Sequence, residues 1–263
     1  MIKIEKEEKA PSEIRKKIIR MLRHCIGKLL VTMNPTLLTS AQRMGSIKPL
    51  LQLVRDVDVS HLQAFEALMS LTNIASVGDD TKKKIVTEKG IPAIKFAMFS
   101  DHELVRKAAT EAMCNLVPNE SFMKTLQEDK EMRLWLALAS DYEEHYECAR
   151  AAAGCLAMAT GDPEVADTLI ACEKFKERMD QTLESGSLEI MHRMLVVILN
   201  LVELGGKYRQ AALENGFIAF AMAYVESYHS GSKASGLDFD ENDIGAFNAT
   251  VDISKQIIKV ADA

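Results

Sequence analysis

The chain has 263 residues, 48% of them hydrophobic, with a formal net charge of −6, so it can bury a substantial core without disulfide or metal staples. An acidic balance gives no overall electrostatic case for nucleic acid, which needs a basic face. The longest apolar runs, "FIAFAMAYV" and "MLVVIL", are far shorter than the roughly 18 residues of a membrane span.

In chain order, "MIKIEKEEKAPSEIRKK" is charged and lacks the apolar stretch of a secretory signal, which points to a cytoplasmic protein. Residues 1–28 carry nine Lys or Arg against four Glu. That bias fits either a solvated helix face or a basic, partner-binding helix over residues 12–30, and both readings stay open. "PSEIRKKIIRMLRHCIGKLLVTMNP" predicts a long helix, and "LLTSAQRMG" with "SIKPLLQLVRD" predicts two short ones. Four similar segments follow: "HLQAFEALMSLTNIASVGDD", "HELVRKAATEAMCNLVPNES", "HYECARAAAGCLAMATGDPE" and "LEIMHRMLVVILNLVELGGK". Each predicts a long helix that stops near Gly78, Pro118, Gly161 or Gly205, residues suited to a helix end. Between them lie pairs of shorter helical patterns, such as "TKKKIVTEKG" and "IPAIKFAMFS", with Gly90 as the break and Pro92 in a first turn. "HSGSKASGLDF" predicts a flexible loop over residues 229–243, and the chain closes on a last long helix from "DENDIGAF" onward.

The four long helices align on a common slot, Asn73, Asn115, Met158 and Asn200, spaced by 42, 43 and 42 residues. A period of this length with two short helices and one longer helix predicts an all-α, armadillo-repeat solenoid of right-handed superhelical form, with five to six three-helix units and a partial first one. A single unit cannot enclose its apolar face, whereas stacked units bury a continuous core. The expectation is one domain over residues 1–263, beginning within a repeat and therefore forming the C-terminal part of a longer protein.

Asn is a poor helix-interior residue because its amide competes with the backbone for hydrogen bonds. Repeated near helix ends, it can cap the preceding turn or bond an adjacent loop. Alternatively, it lines a concave groove, where a ladder of amides pairs with an extended polypeptide. Met158 interrupts that ladder. Eight residues before each slot stand Phe65, Lys107, Arg150 and His192, which either flank such a groove with one aromatic and several cationic groups or form solvated helix surface. The candidate binding residues are thus Asn73, Phe65, Asn115, Asn200, Lys107 and Arg150.

Chemistry for catalysis is missing. "GSKASG" lacks the Lys-Ser/Thr of a phosphate loop, and "HELVR" has Arg106 where a zinc-protease helix needs its second His. His145, Cys148 and Cys155 are better read as core residues than as a metal site. Five cysteines, without a CxxC pair, read as reduced packing residues. The expectation is a binding protein with no cofactor, no metal and no catalytic residue.

"FEALMSLTNIASVGDDTKKKIVTEKGIP", "HELVRKAATEAMCNLVPNE", "RAAAGCLAMATG" and "VVILNLVELGG" together resemble the C-terminal UCS domain of the animal myosin-directed chaperones. The resemblance extends from about "VTMNPTLLTSAQRMG" to the end. It implies an armadillo-repeat module that binds the myosin motor domain through its groove, assists folding and thick-filament assembly, and works in the cytoplasm or at the sarcomere. Within it, Asn73 and Phe65 match the family's groove positions. Hsp90 or Hsp70 would be engaged only through parts of a full-length protein not contained in this sequence. The competing reading is an armadillo adaptor that binds an extended peptide of a transport or signalling partner.

Overall fold

The computed structural model describes residues 13–229 and 241–262, and among them every regular element is helical. The chain forms two compact units that divide between Met113 and Cys114.

The first unit begins with α1, Glu13–Thr32, and a 3₁₀ turn, Pro35–Leu37, followed by α2, Ser40–Val54, and α3, His61–Ala75. Then come α4, Asp79–Thr87, α5, Gly90–Ala97, and α6, Glu103–Cys114, whose last residue lies across the division. Helix starts are set by side chains. Thr39 Oγ1 accepts from the Gln42 N–H at 3.3 Å while Gln42 Oε1 accepts from the Thr39 N–H at 2.9 Å. Ser60 and Gln63 repeat the exchange at the head of α3, so two otherwise orphaned donors are satisfied at each start. The helix α3 packs on α1 and α2, and α4 and α5 close over α2. Leu50, Leu51, Leu53, Leu68, Ile74 and Ile94 are fully buried there, each stabilising the fold by roughly 1.5–3 kcal/mol relative to exposure.

One element differs from the sequence reading. The two short helices expected before α3 are a single helix, α2, which runs through Gly45 and contains Pro49. Its capped start and the buried row Ile47, Leu50, Leu51 and Leu53 outweigh the ~1 kcal/mol helix penalty of a glycine. The first of the two, expected from Leu37 to Gly45, forms the opening turns of α2, and the 3₁₀ turn lies just before it.

The second unit holds α7, Glu120–Leu126, α8, Asp129–Ser140, α9, Tyr142–Ala159, α10, Pro163–Ala171, and α11, Phe175–Leu183. It continues with α12, Leu188–Leu204, α13, Gly206–Glu214, α14, Phe217–His229, and α15, Glu241–Ala261. Asn119, Asp162 and Ser187 cap α7, α10 and α12 through their side-chain oxygens. The break between α12 and α13 falls at Gly205, whose φ of 70° favours a residue without Cβ. Helix α9 packs on α12, and α12 on α15, with α8, α11 and α14 behind them. Aromatic rings meet edge-on in that second layer: Phe122 with Trp135 at 6.1 Å and Phe175 with Phe217 at 5.5 Å between centroids.

The order of short, short and longer helix recurs as expected for α4–α6, α7–α9, α10–α12 and α13–α15. Most of the loop expected over 229–243 lies outside the described residues.

Candidate functional site

The third helices carry the residues singled out by the sequence, except Asn115, which follows the end of α6. In the first unit, α3 presents Phe65 and Asn73, both half-buried, and α6 presents a half-buried Lys107. In the second unit, Asn115 is half-buried just past the end of α6, α9 presents Arg150, and α12 presents His192 and Asn200. Met158, in the slot of α9, is 52% exposed.

The slot amides face backwards along the repeat. Asn200 Nδ2 donates to Ala157 O at 2.9 Å and lies 3.0 Å from Thr160 Oγ1. Asn73 Nδ2 reaches Leu30 O at 3.4 Å and Val31 O at 3.3 Å. In both cases the acceptor is a carbonyl in the last turn of the preceding long helix, 42 or 43 residues earlier. Such carbonyls have no intrahelical donor. The one from Val31 would look to residue 35, which is Pro35 and has no N–H. The amide nitrogen therefore ties one third helix to the next. Of the alternatives the sequence left open, this is the use the structure gives to the nitrogen. Among the described residues, Oδ1 of Asn73 and of Asn200 receives no donor, and this oxygen is the part of each amide left for a partner.

Other side chains strengthen the same seam, and sequence reasoning missed them. Ser70 Oγ lies 2.8 Å from Gly27 O and 2.7 Å from Glu66 O, and its single hydroxyl proton serves one of them at a time. The Arg193 guanidinium donates to Arg150 O. His24 Nε2 stands 2.5 Å from Glu66 Oε2. The signal available was a polar residue seven positions before the slot, Glu66 and Arg193, in helices that are otherwise apolar on that side.

The flanking charges are engaged within the fold. Arg150 donates to Glu147 Oε2 from Nη2 at 3.0 Å and lies 3.6 Å from Glu189 Oε2, so it offers a partly neutralised cation. Burial, with Arg193 nearby, pushes the His192 imidazole below its ordinary pKa and favours its neutral form. Cys148 and Cys155 are buried, and burial raises the Cys155 thiol well above its ordinary value. His145 is half-exposed with Nδ1 2.8 Å from Asp141 Oδ2. The core reading thus holds for Cys148 and Cys155 but not for His145, which lies at the surface paired with Asp141.

No family model matches the sequence. Protein unc-45 homolog B of Danio rerio is 32% identical over 214 residues, which is 80% of this chain and 23% of that protein. The Xenopus tropicalis protein of the same name is also 32% identical, over 73% of this chain and 21% of its own length. The chain belongs to the UNC-45 family. It spans less than a quarter of the length of those relatives. The solved structure of UNC-45 from Drosophila melanogaster matches 96% of this chain and 30% of its own at 24% identity, with a TM-score of 0.80. A UNC-45 chaperone structure described for features critical for binding and folding muscle myosin covers 93% of this chain, and is itself covered to 26%, at 22% identity and a TM-score of 0.72. A designed armadillo-repeat protein in complex with the peptide (KR)4 shares 18% identity and a TM-score of 0.68, with 92% of this chain and 95% of the designed one aligned. The fold class is thus the armadillo-repeat solenoid expected from the 42- and 43-residue spacing, and the family is that of the myosin-directed chaperones.

Proposed function

We propose that this chain is a client-holding module that binds partly folded myosin motor domain through the exposed side of its third helices and thereby assists folding and thick-filament assembly. Membership of the UNC-45 family is the observation that carries the reading. The structure supports it in a specific way. Within the first unit, Asn73 and Ser70 fix α3 on α1, and within the second, Arg193 and Asn200 fix α12 on α9, so Phe65 in the one and Met158 in the other are each carried on a rigid helix pair. A preorganised surface loses little entropy when it captures a chain segment. Holding covers apolar surface that would otherwise aggregate, and it favours folding only if the intermediate binds better than the finished motor. Contacts with Hsp90 or Hsp70 belong, in this reading, to other parts of a longer protein, and the work is done in the cytoplasm or at the sarcomere without turnover of a substrate.

The test is suppression of thermal aggregation of a purified myosin motor fragment by the isolated chain, followed by light scattering. Wild type is expected to suppress it at near-stoichiometric ratio. Phe65→Ala together with Met158→Ser is expected to lose most of the effect while helical circular dichroism and melting stay close to wild type. No suppression by wild type, or tight capture of a (KR)4-type basic peptide in its place, would favour an adaptor over a chaperone.

A further inference from the structure

A cleft of about 790 Å³ opens in the first unit, away from the slot residues, between the α2–α3 connection, α5 and the starts of α3 and α6. Val54, Val57, Pro92, Phe96 and Phe99 are among its walls. Three of them are conspicuously in water: Val57 is 94% exposed, Phe96 83% and Phe99 59%. Its volume falls within the roughly 300–1,000 Å³ of pockets that hold small ligands or side chains.

The cleft has charged ends of unequal character. At the start of α5, Arg55 Nη2 donates to Glu88 O at 2.7 Å and to Lys89 O at 2.8 Å. Its remaining N–H groups have no acceptor among the described residues, and the exposed Lys89 ammonium has no carboxylate partner among them. Lys89 itself is held at φ 58°, in the left-handed region, so two cations converge on a strained turn clamped by one of them. The carboxylates on that rim are already committed, Asp56 to Arg20 at 2.7 Å and Glu88 to Lys84 at 2.7 Å. Asp101 stands beyond the other end of α5, beside Phe99.

We infer that this cleft is a docking site for an extended peptide segment of a partner protein that places a carboxylate on Arg55 and Lys89 and a bulky apolar side chain against Phe96 and Phe99. The spacing follows from helix geometry. Phe96 follows Lys89 by seven positions, about 10 Å at 1.5 Å per residue, and a peptide in the polyproline II conformation covers roughly that distance in three residues, one full turn that returns side chains i and i+3 to the same face. The segment therefore reads as an acidic residue three positions from a large apolar one. Asp101 disfavours a second carboxylate at the apolar end. This site is built from different residues than the third-helix face and does not rest on the chaperone reading.

The probe is a fluorescein-labelled nonapeptide of glycine and serine with one glutamate three places before one leucine, titrated with the chain and read by fluorescence anisotropy. Saturable binding is expected. It should weaken about tenfold with Phe96→Ser, as for an anchor in an alanine scan, and about fivefold when the peptide glutamate becomes glutamine. In Lys89→Gln, the difference between the two peptides should shrink. Both substituted residues are exposed, so melting should be unchanged. No saturation below about 1 mM, or equal binding by Phe96→Ser, overturns the inference. So does a dimer in sedimentation velocity that Phe96→Ser dissolves, since the cleft would then be a contact between copies.

Discussion

At Asn200 the cost of losing a seam bond can be stated. Replacing it with alanine leaves Ala157 O and Thr160 Oγ1 without that donor in a half-buried setting, which should cost about 1–2 kcal/mol. Asn73→Ala should cost less, because its contacts are 3.3–3.4 Å long. Urea unfolding monitored by circular dichroism checks this ordering. A larger loss for Asn73→Ala would contradict the assignment of the stronger bond to Asn200. The slot itself was legible in the sequence from its spacing. The destination of its amide was not, because on the last turn of a helix the direction toward the neighbouring helix and the direction toward open solvent differ only by a side-chain rotamer. Arg150 was legible as a cation near the slot, but not as one shared between Glu147 and Glu189, since Glu189 lies a repeat away in sequence.

At the scale of elements, the tie between α1 and the α2–α3 connection is ionic. Arg20 Nε reaches Asp56 Oδ2 at 2.7 Å, and Nη2 reaches Asp58 Oδ2 at 2.8 Å. The hydrogen bond from Arg20 holds the Asp56 carboxyl below its ordinary pKa. A carboxyl depressed in the folded state contributes stability that is complete above its unfolded pKa and disappears as pH falls through the folded value. Wild type should therefore lose more stability than Asp56→Asn between neutral pH and the acid side of the carboxylate range. Urea midpoints across that interval measure it, and parallel curves would remove Asp56 from the account. Helix starts could have been located from Thr39, Ser60, Asn119, Asp162 and Ser187, capping residue types that the sequence reading did not use. The continuity of α2 was hidden, because Gly45 and Pro49 both resemble breaks while the burial that overrides them is a tertiary effect.

For the whole molecule, the repeat carried most of the information. A period of 42 or 43 residues fixes the number of units, their three-helix order and the class of fold, since each unit can be stable only against its neighbours. The division at Met113 and Cys114 was not legible, because the periodic pattern continues through it without a change in composition. The family followed from long stretches of similarity rather than from any chemical motif.

The central claim is that the third helices bind the client. Amide hydrogen exchange of the chain, with and without a mildly heated myosin motor fragment, tests it most directly. The account predicts slowed exchange in α3, α6, α9 and α12, with α4, α7, α10 and α13 unchanged. Protection confined to those first helices, or none anywhere at saturating motor fragment, would contradict it.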